Sequence, residues 1–107
     1  MKGRDREEAI LEGLRGEPFG RLFQALDLAV EHPTPRVVAA LFRCAHDRGG
    51  PGGYGAMAAL FTIHKKIDSP DDWIYRPLFL RIADMDPKIR RHAFKEACGI
   101  LGVDFGA

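Results

Sequence analysis

The chain is poor in the residues that announce chemistry. It has only two cysteines, Cys44 and Cys98, far apart and each inside an apolar helical pattern. That excludes a disulfide-stapled scaffold and reads as two buried thiols in a reducing compartment, with a bond between packed helices as the open alternative. No Cys-x-x-Cys, His-x-x-x-His or paired acidic–His spacing occurs, so neither a metal site nor a cofactor is expected. Excess charge of one sign is missing too. Residues 1–53 hold 8 basic and 8 acidic side chains, residues 54–107 hold 8 and 7, and the net charge is +1. There is no global field to draw in nucleic acid or an anionic membrane. No apolar run reaches the length of a membrane span, and Met1 to Glu8 leads into no signal-type segment. The expectation is a cytoplasmic protein that does not engage membranes. Period-two alternation is absent over any useful length, which argues against strands.

What is present is a cadence of prolines. Pro18, Pro35, Pro70 and Pro87 stand 17, 35 and 17 residues apart, and Pro51 falls in the wide gap. Proline suits the first turn of a helix, where its missing N–H has no intrahelical partner. Thr34, Ser69 and Asp86 precede three of these prolines, and each can cap a helix. A helix-plus-turn unit therefore begins about every 17 residues, a helical hairpin every two such units. The apolar spacing agrees. Leu22, Phe23, Leu26, Ala29 and Val30 share one helical face, as do Val37, Val38, Leu41, Phe42 and Ala45. Met57, Leu60, Phe61 and Ile67 mark a further helix, and Ile89, Ala93, Ala97, Ile100 and Leu101 a last one that should stop at Gly102. An opening helix over 5–14 places Ile10, Leu11 and Leu14 together. Ser69 to Asp84 is the irregular stretch, because Pro77 interrupts it; the expected solution is a short turn followed by a helix from Pro77 to Ala83, or one kinked helix. With 107 residues and 46% hydrophobic content there is material for one core. The reading is a single all-α domain over 1–107, of five or six helices in antiparallel hairpins. A glycine-rich loop over 49–55 should connect two of the hairpins.

The run from Asp86 through Arg90 and Ala93 to Ala97 resembles the second helix of a HEAT repeat, whose pattern is an aspartate, then Val or Ile, Arg, and soon an alanine. His32 to Leu41 resembles the same helix in an earlier repeat, but Val38 stands where Arg90 stands in the later one. The resemblance covers about two repeats from Pro18 to Leu101 and leaves out the glycine run and the Pro77 segment. It implies a short curved α-solenoid with a protein-binding surface and no catalytic residues. It also implies that Arg90 pairs with a loop aspartate, Asp84 or Asp86.

Four clusters could carry function. Asp72, Trp73, Tyr75, Arg76 and Arg81 form the richest polar–aromatic group, of the residue types enriched at binding hot spots; the plain alternative is that the aromatics anchor an irregular segment to the core. Lys88, Arg90, Arg91 and Lys95 make the last helix basic, which suits phosphates or simple local ion pairing. Gly50 to Gly55 matches G-x-G-x-x-G letter for letter, but no strand precedes it, so a connector is the better reading than a dinucleotide loop. His64 and the His46–Asp47 pair are the only candidates for proton-transfer chemistry, and a histidine on an apolar stripe is more often a hydrogen-bonded boundary residue.

The leading expectation is a non-enzymatic module that binds another protein, for instance a bacterial immunity or regulatory protein that blocks a partner enzyme. Nucleic-acid binding along the last helix and a small histidine enzyme near the glycine run are the alternatives. A short stack leaves repeat ends uncovered, so a homodimer is also considered.

Overall fold

Proline and its preceding cap set the frame. Thr34 is extended, and its Oγ1 accepts from Val37 N at 3.3 Å where Pro35 opens a helix. The Asp86 carboxylate accepts from Lys88 N at 2.9 Å where Pro87 opens another. The computed structural model describes residues 3–16, 20–65 and 75–103, and its architecture is all-helical. Among the described residues there are six helices and no strand: α1 (Gly3–Gly13), α2 (Arg21–Glu31), α3 (Pro35–Asp47), α4 (Gly50–Ile63), α5 (Arg76–Ile82) and α6 (Pro87–Leu101). The expected helix starts at Pro18 and Pro70 lie outside the described residues.

The helices pack as successive pairs, α1 on α2, α3 on α4 and α5 on α6. The first two pairs stack, α1 against α3 and α2 against α4. The third pair joins with α5 on α4 and α6 on α3. Helix α4 is central, touching α2, α3 and α5, and it buries residues around most of its circumference, among them Met57, Leu60 and Phe61. The outer helices bury one stripe each, such as Leu22, Ala25, Leu26 and Ala29 of α2 at the i, i+3, i+4, i+7 positions. Phe23, Ile89 and Ile100, counted into those stripes from sequence, lie at their edges with 37–40% exposure. One aromatic cluster ties α4 to α5, with the Phe61 ring 5.3 Å from Phe79 and 4.9 Å from Tyr75. The radius of gyration, 13.0 Å, equals the value of about 13 Å expected for a compact domain of this length.

The segment 49–55, expected as a glycine-rich loop, is not a loop. Gly50 to Gly55 form the first turns of α4, and the connection between α3 and α4 shrinks to Arg48 and Gly49. The small residues are needed for close approach. A Cβ on Gly53 would lie 2.1 Å from the Arg48 carbonyl oxygen. Each glycine inside a helix costs up to about 1 kcal/mol relative to alanine, and tertiary packing overrides that local preference. The same end of α4 is stitched to the third pair by a bond from Gly50 N to the Ala83 carbonyl at 2.7 Å. The far end of α6 closes as expected. Gly102 is left-handed at φ 76°, and Val103 N donates back to the Cys98 carbonyl at 3.0 Å.

Candidate binding groove between the first and third helices

The expected binding cluster divides when placed in the fold. Asp72 and Trp73 lie outside the described residues. Tyr75 is half-buried against Phe61 and Phe79 and serves the core. Arg81 Nη2 donates to Glu96 Oε2 at 2.7 Å, bridging α5 and α6. Arg76 is exposed. Of the three described members, only Arg76 faces solvent without a partner among the described residues.

The basic last helix also divides. Lys88, Arg91 and Lys95 are exposed at i, i+3 and i+7, one face of α6. Arg90 is turned inward. Its Nη1 donates to the backbone carbonyls of Asp84 at 3.2 Å and Met85 at 3.5 Å, where an ion pair with the Asp84 or Asp86 carboxylate was expected. Those carboxylates are otherwise engaged. Asp84 accepts from Asp86 N at 2.7 Å, and Asp86 caps α6. Arg90 is thus a brace for the α5–α6 turn.

The histidines are dispersed. His64 ends α4 and donates from Nδ1 to the Leu60 carbonyl at 2.9 Å. It sits at the opposite end of α4 from the glycine run, about 20 Å away at 1.5 Å per residue. His46 Nδ1 pairs with Asp47 Oδ1 at 2.7 Å, and its ring meets the Phe94 edge at 5.1 Å. His32 Nε2 accepts from Arg6 Nη1 at 2.9 Å. Among the described residues no three His, Cys, Asp or Glu side chains gather as a metal site would need, and no helix is long and apolar enough to cross a membrane.

A broad concavity among the described residues lies elsewhere, between α1 and α3. It is an open cleft of about 670 Å³ with a floor of Leu11, Leu14, Ala39, Ala40 and Cys44, rimmed by Arg15, Arg36, Arg43 and Arg48 with Asp47 the one acidic lining residue. Positions 36, 39, 40, 43 and 47 form a single stripe of α3. Both ends of the cleft are fastened. At one end Arg36 Nη1 donates to Glu7 at 2.9 Å and to Glu8 at 3.0 Å, and Thr34 Oγ1 donates to Glu7 at 2.6 Å. The two glutamates raise the Arg36 pKa above its ordinary value, Glu8 foremost. At the other end Arg48 Nη1 donates to the Leu14 carbonyl at 3.1 Å. Arg15 and Arg43 are exposed and have no partner among the described residues. In the floor, burial pushes the Cys44 thiol up despite the opposing charge of Arg48, and Cys44 and Cys98 form no disulfide with each other.

Sequence reasoning missed this cleft because its walls come from segments more than 20 residues apart. One local signal was available: Arg36 and Arg43 stand two turns apart on the face carrying Ala39 and Ala40. No protein-family model matches the chain, and no curated protein or solved structure is significantly similar to it.

Proposed function

We propose that the chain is a non-enzymatic interaction module, a short HEAT-like stack of helical hairpins that binds another protein in the α1–α3 groove. The observation that supports this reading is the groove itself. It offers an apolar floor with arginines at its rim, two of them without partners among the described residues. Arginine is enriched at binding hot spots because its planar fork makes directional, charge-assisted bonds. In this reading the third hairpin closes the stack: α5 lies on α4 and α6 on α3, where a simple translated repeat would set α5 on α3 and α6 on α4. A closed stack of this kind, working in the cytoplasm and holding a partner enzyme inactive, is the specific form we favour.

The experiment is photocrosslinking in the source cells from three positions: Ala39 in the groove, Arg76 on the polar–aromatic segment, and Lys95 on α6. A discrete protein adduct at Ala39 that is absent at Lys95 is the expected result. An adduct at Arg76 alone moves the interface to the 72–81 segment. Absence of any protein adduct at all three positions removes the interaction reading. Nucleic acid crosslinked at Lys95 in place of protein would favour the α6 face, whose basic stripe is Lys88, Arg91 and Lys95.

A further inference from the structure

We infer that the occupant of the α1–α3 groove is an acidic amphipathic helix of the partner, seated with its carboxylates at the Arg15–Arg43 end. The inference rests on the interaction reading above and specifies its ligand.

Charge complementarity is the first support. Four arginines line the cleft against one aspartate. Two of the four are already used, Arg36 by Glu7 and Glu8 and Arg48 by the Leu14 carbonyl. Asp47 is held by His46. Arg15 and Arg43, both exposed, have no side-chain partner among the described residues. The groove is therefore polarised along its length. At its Glu7–Glu8 end the one arginine already faces two carboxylates, and at the other end Arg15 and Arg43 face none among the described residues. Paired carboxylates fit such forks bidentately.

Shape is the second support. The lining stripe of α3 runs from Arg36 to Asp47, about 16 Å at 1.5 Å per residue. That matches three turns of a helix laid alongside. Ala39 and Ala40 lie in the floor between Arg36 and Arg43, and residues this small let a partner backbone come close. The cleft is open to solvent along one side, so it suits a ligand that lies in it with one face buried; an enclosed small molecule would need walls the cleft does not have. Half-buried Leu11, with Ala39 and Ala40, supplies the apolar contact for the buried face.

The test uses fluorescence anisotropy with roughly 14-residue labelled peptides. One is built of Leu and Glu in amphipathic helical order; the others are its Lys-for-Glu twin and a scrambled-order version. The wild-type chain should bind the ordered Leu/Glu peptide, with affinity falling as salt rises from about 50 to about 300 mM. Arg15→Glu with Arg43→Glu should weaken that binding by at least about tenfold and confer binding of the Lys twin. Lys65→Glu, on an exposed residue at the end of α4, should leave it unchanged. Both changed arginines are exposed, and thermal melts of each variant confirm that the fold is retained. Equal binding of the scrambled peptide, or indifference to the double reversal, overturns the inference. So does preferential binding of single-stranded DNA in an arginine-dependent way. A wild-type dimer that the double reversal converts to monomer also overturns it, by giving the groove to a second copy. If the Ala39 adduct forms and survives the double reversal, the acidic-helix inference fails while the interaction reading stands. If no protein adduct forms at any of the three positions, the interaction reading falls and the inference falls with it, whatever the peptides do.

Discussion

Replacing Gly53 by alanine tests whether the glycine run is helix or connector. The added Cβ would fall 2.1 Å from the Arg48 carbonyl oxygen, a backbone atom. Arg48 cannot simply retreat. Its N–H bonds the Cys44 carbonyl at 3.0 Å, its side chain holds the Leu14 carbonyl at 3.1 Å, and two residues on Gly50 N is tied to Ala83 at 2.7 Å. Overpacking of this kind costs about 1–3 kcal/mol, and a rigid backbone obstacle places the cost at the upper end. Alanine recovers about 0.5–1 kcal/mol of helix propensity, leaving a net loss of about 2 kcal/mol. At about 4–8 °C per kcal/mol for a domain of this size, Tm should fall by about 8–16 °C. Gly99 is the internal control. It lies in α6 with nothing within 4 Å of a built Cβ, so Gly99→Ala should raise Tm by a few degrees through propensity alone. Thermal and urea melts followed by circular dichroism measure both. A Gly53→Ala variant as stable as the wild type, or more so, refutes the reasoning, because a flexible connector would gain from a less mobile unfolded chain.

Phe61 is fully buried at the meeting of α4 and α5, and Phe61→Ala should cost about 3–5 kcal/mol, read as a large drop in urea midpoint with collapse of the near-ultraviolet signal. Thr34→Ala removes both the cap of α3 and the hydroxyl bonded to Glu7; a loss of about 1 kcal/mol is expected, with amide exchange rising in α1 as well as α3. Cys44 is buried, and its thiol pKa is raised by that burial. It should react with a thiol reagent only at the rate of unfolding, and fast labelling in native buffer would contradict the packing. The linkage has a definite sign. The unfolded chain ionises this thiol first, so its contribution to stability is intact below the ordinary thiol range and declines as pH rises through it; Cys44→Ser should flatten that alkaline decline in a melt series.

What could be read from sequence was the chemistry that acts within one turn. Thr34–Pro35 and Asp86–Pro87 start helices because cap and ring geometry are local, and Gly102 stops one for the same reason. The stripes of α2 and α3 were legible because a 3.6-residue period survives any packing partner. The glycine run was misread because propensity favours a connector there. The reason for helix, the approach of Arg48 and α2, is tertiary. Arg90 was expected to find a carboxylate and instead reaches backbone carbonyls, a choice made by how the α5–α6 turn folds. The groove was invisible for a related cause. Arg15, Arg36, Arg43 and Arg48 become one rim only when α1 lies on α3, and no periodicity encodes that pairing.

The fastenings at the two ends of α1 and α3 are chemically unlike, and this gives the pair a mechanical character. The Glu7–Glu8–Arg36 closure is ionic, with Arg36 and Glu8 exposed and Glu7 mostly buried, so mobile ions weaken its exposed part. The Arg48 bond to Leu14 is made to a neutral, partly buried carbonyl and answers little to salt. Raising ionic strength should therefore weaken the Arg36 contacts with Glu7 and Glu8 more than the Arg48–Leu14 bond, while the Thr34–Glu7 bond still holds the first end. Spin labels at positions 5 and 39, which leave Glu7 and Glu8 in place, should broaden in separation with salt while a pair at 15 and 47 holds. On this reasoning the spacing of the groove's Arg36 end would follow the surrounding electrolyte, a mechanical property written into the polar contacts that fasten the two helices.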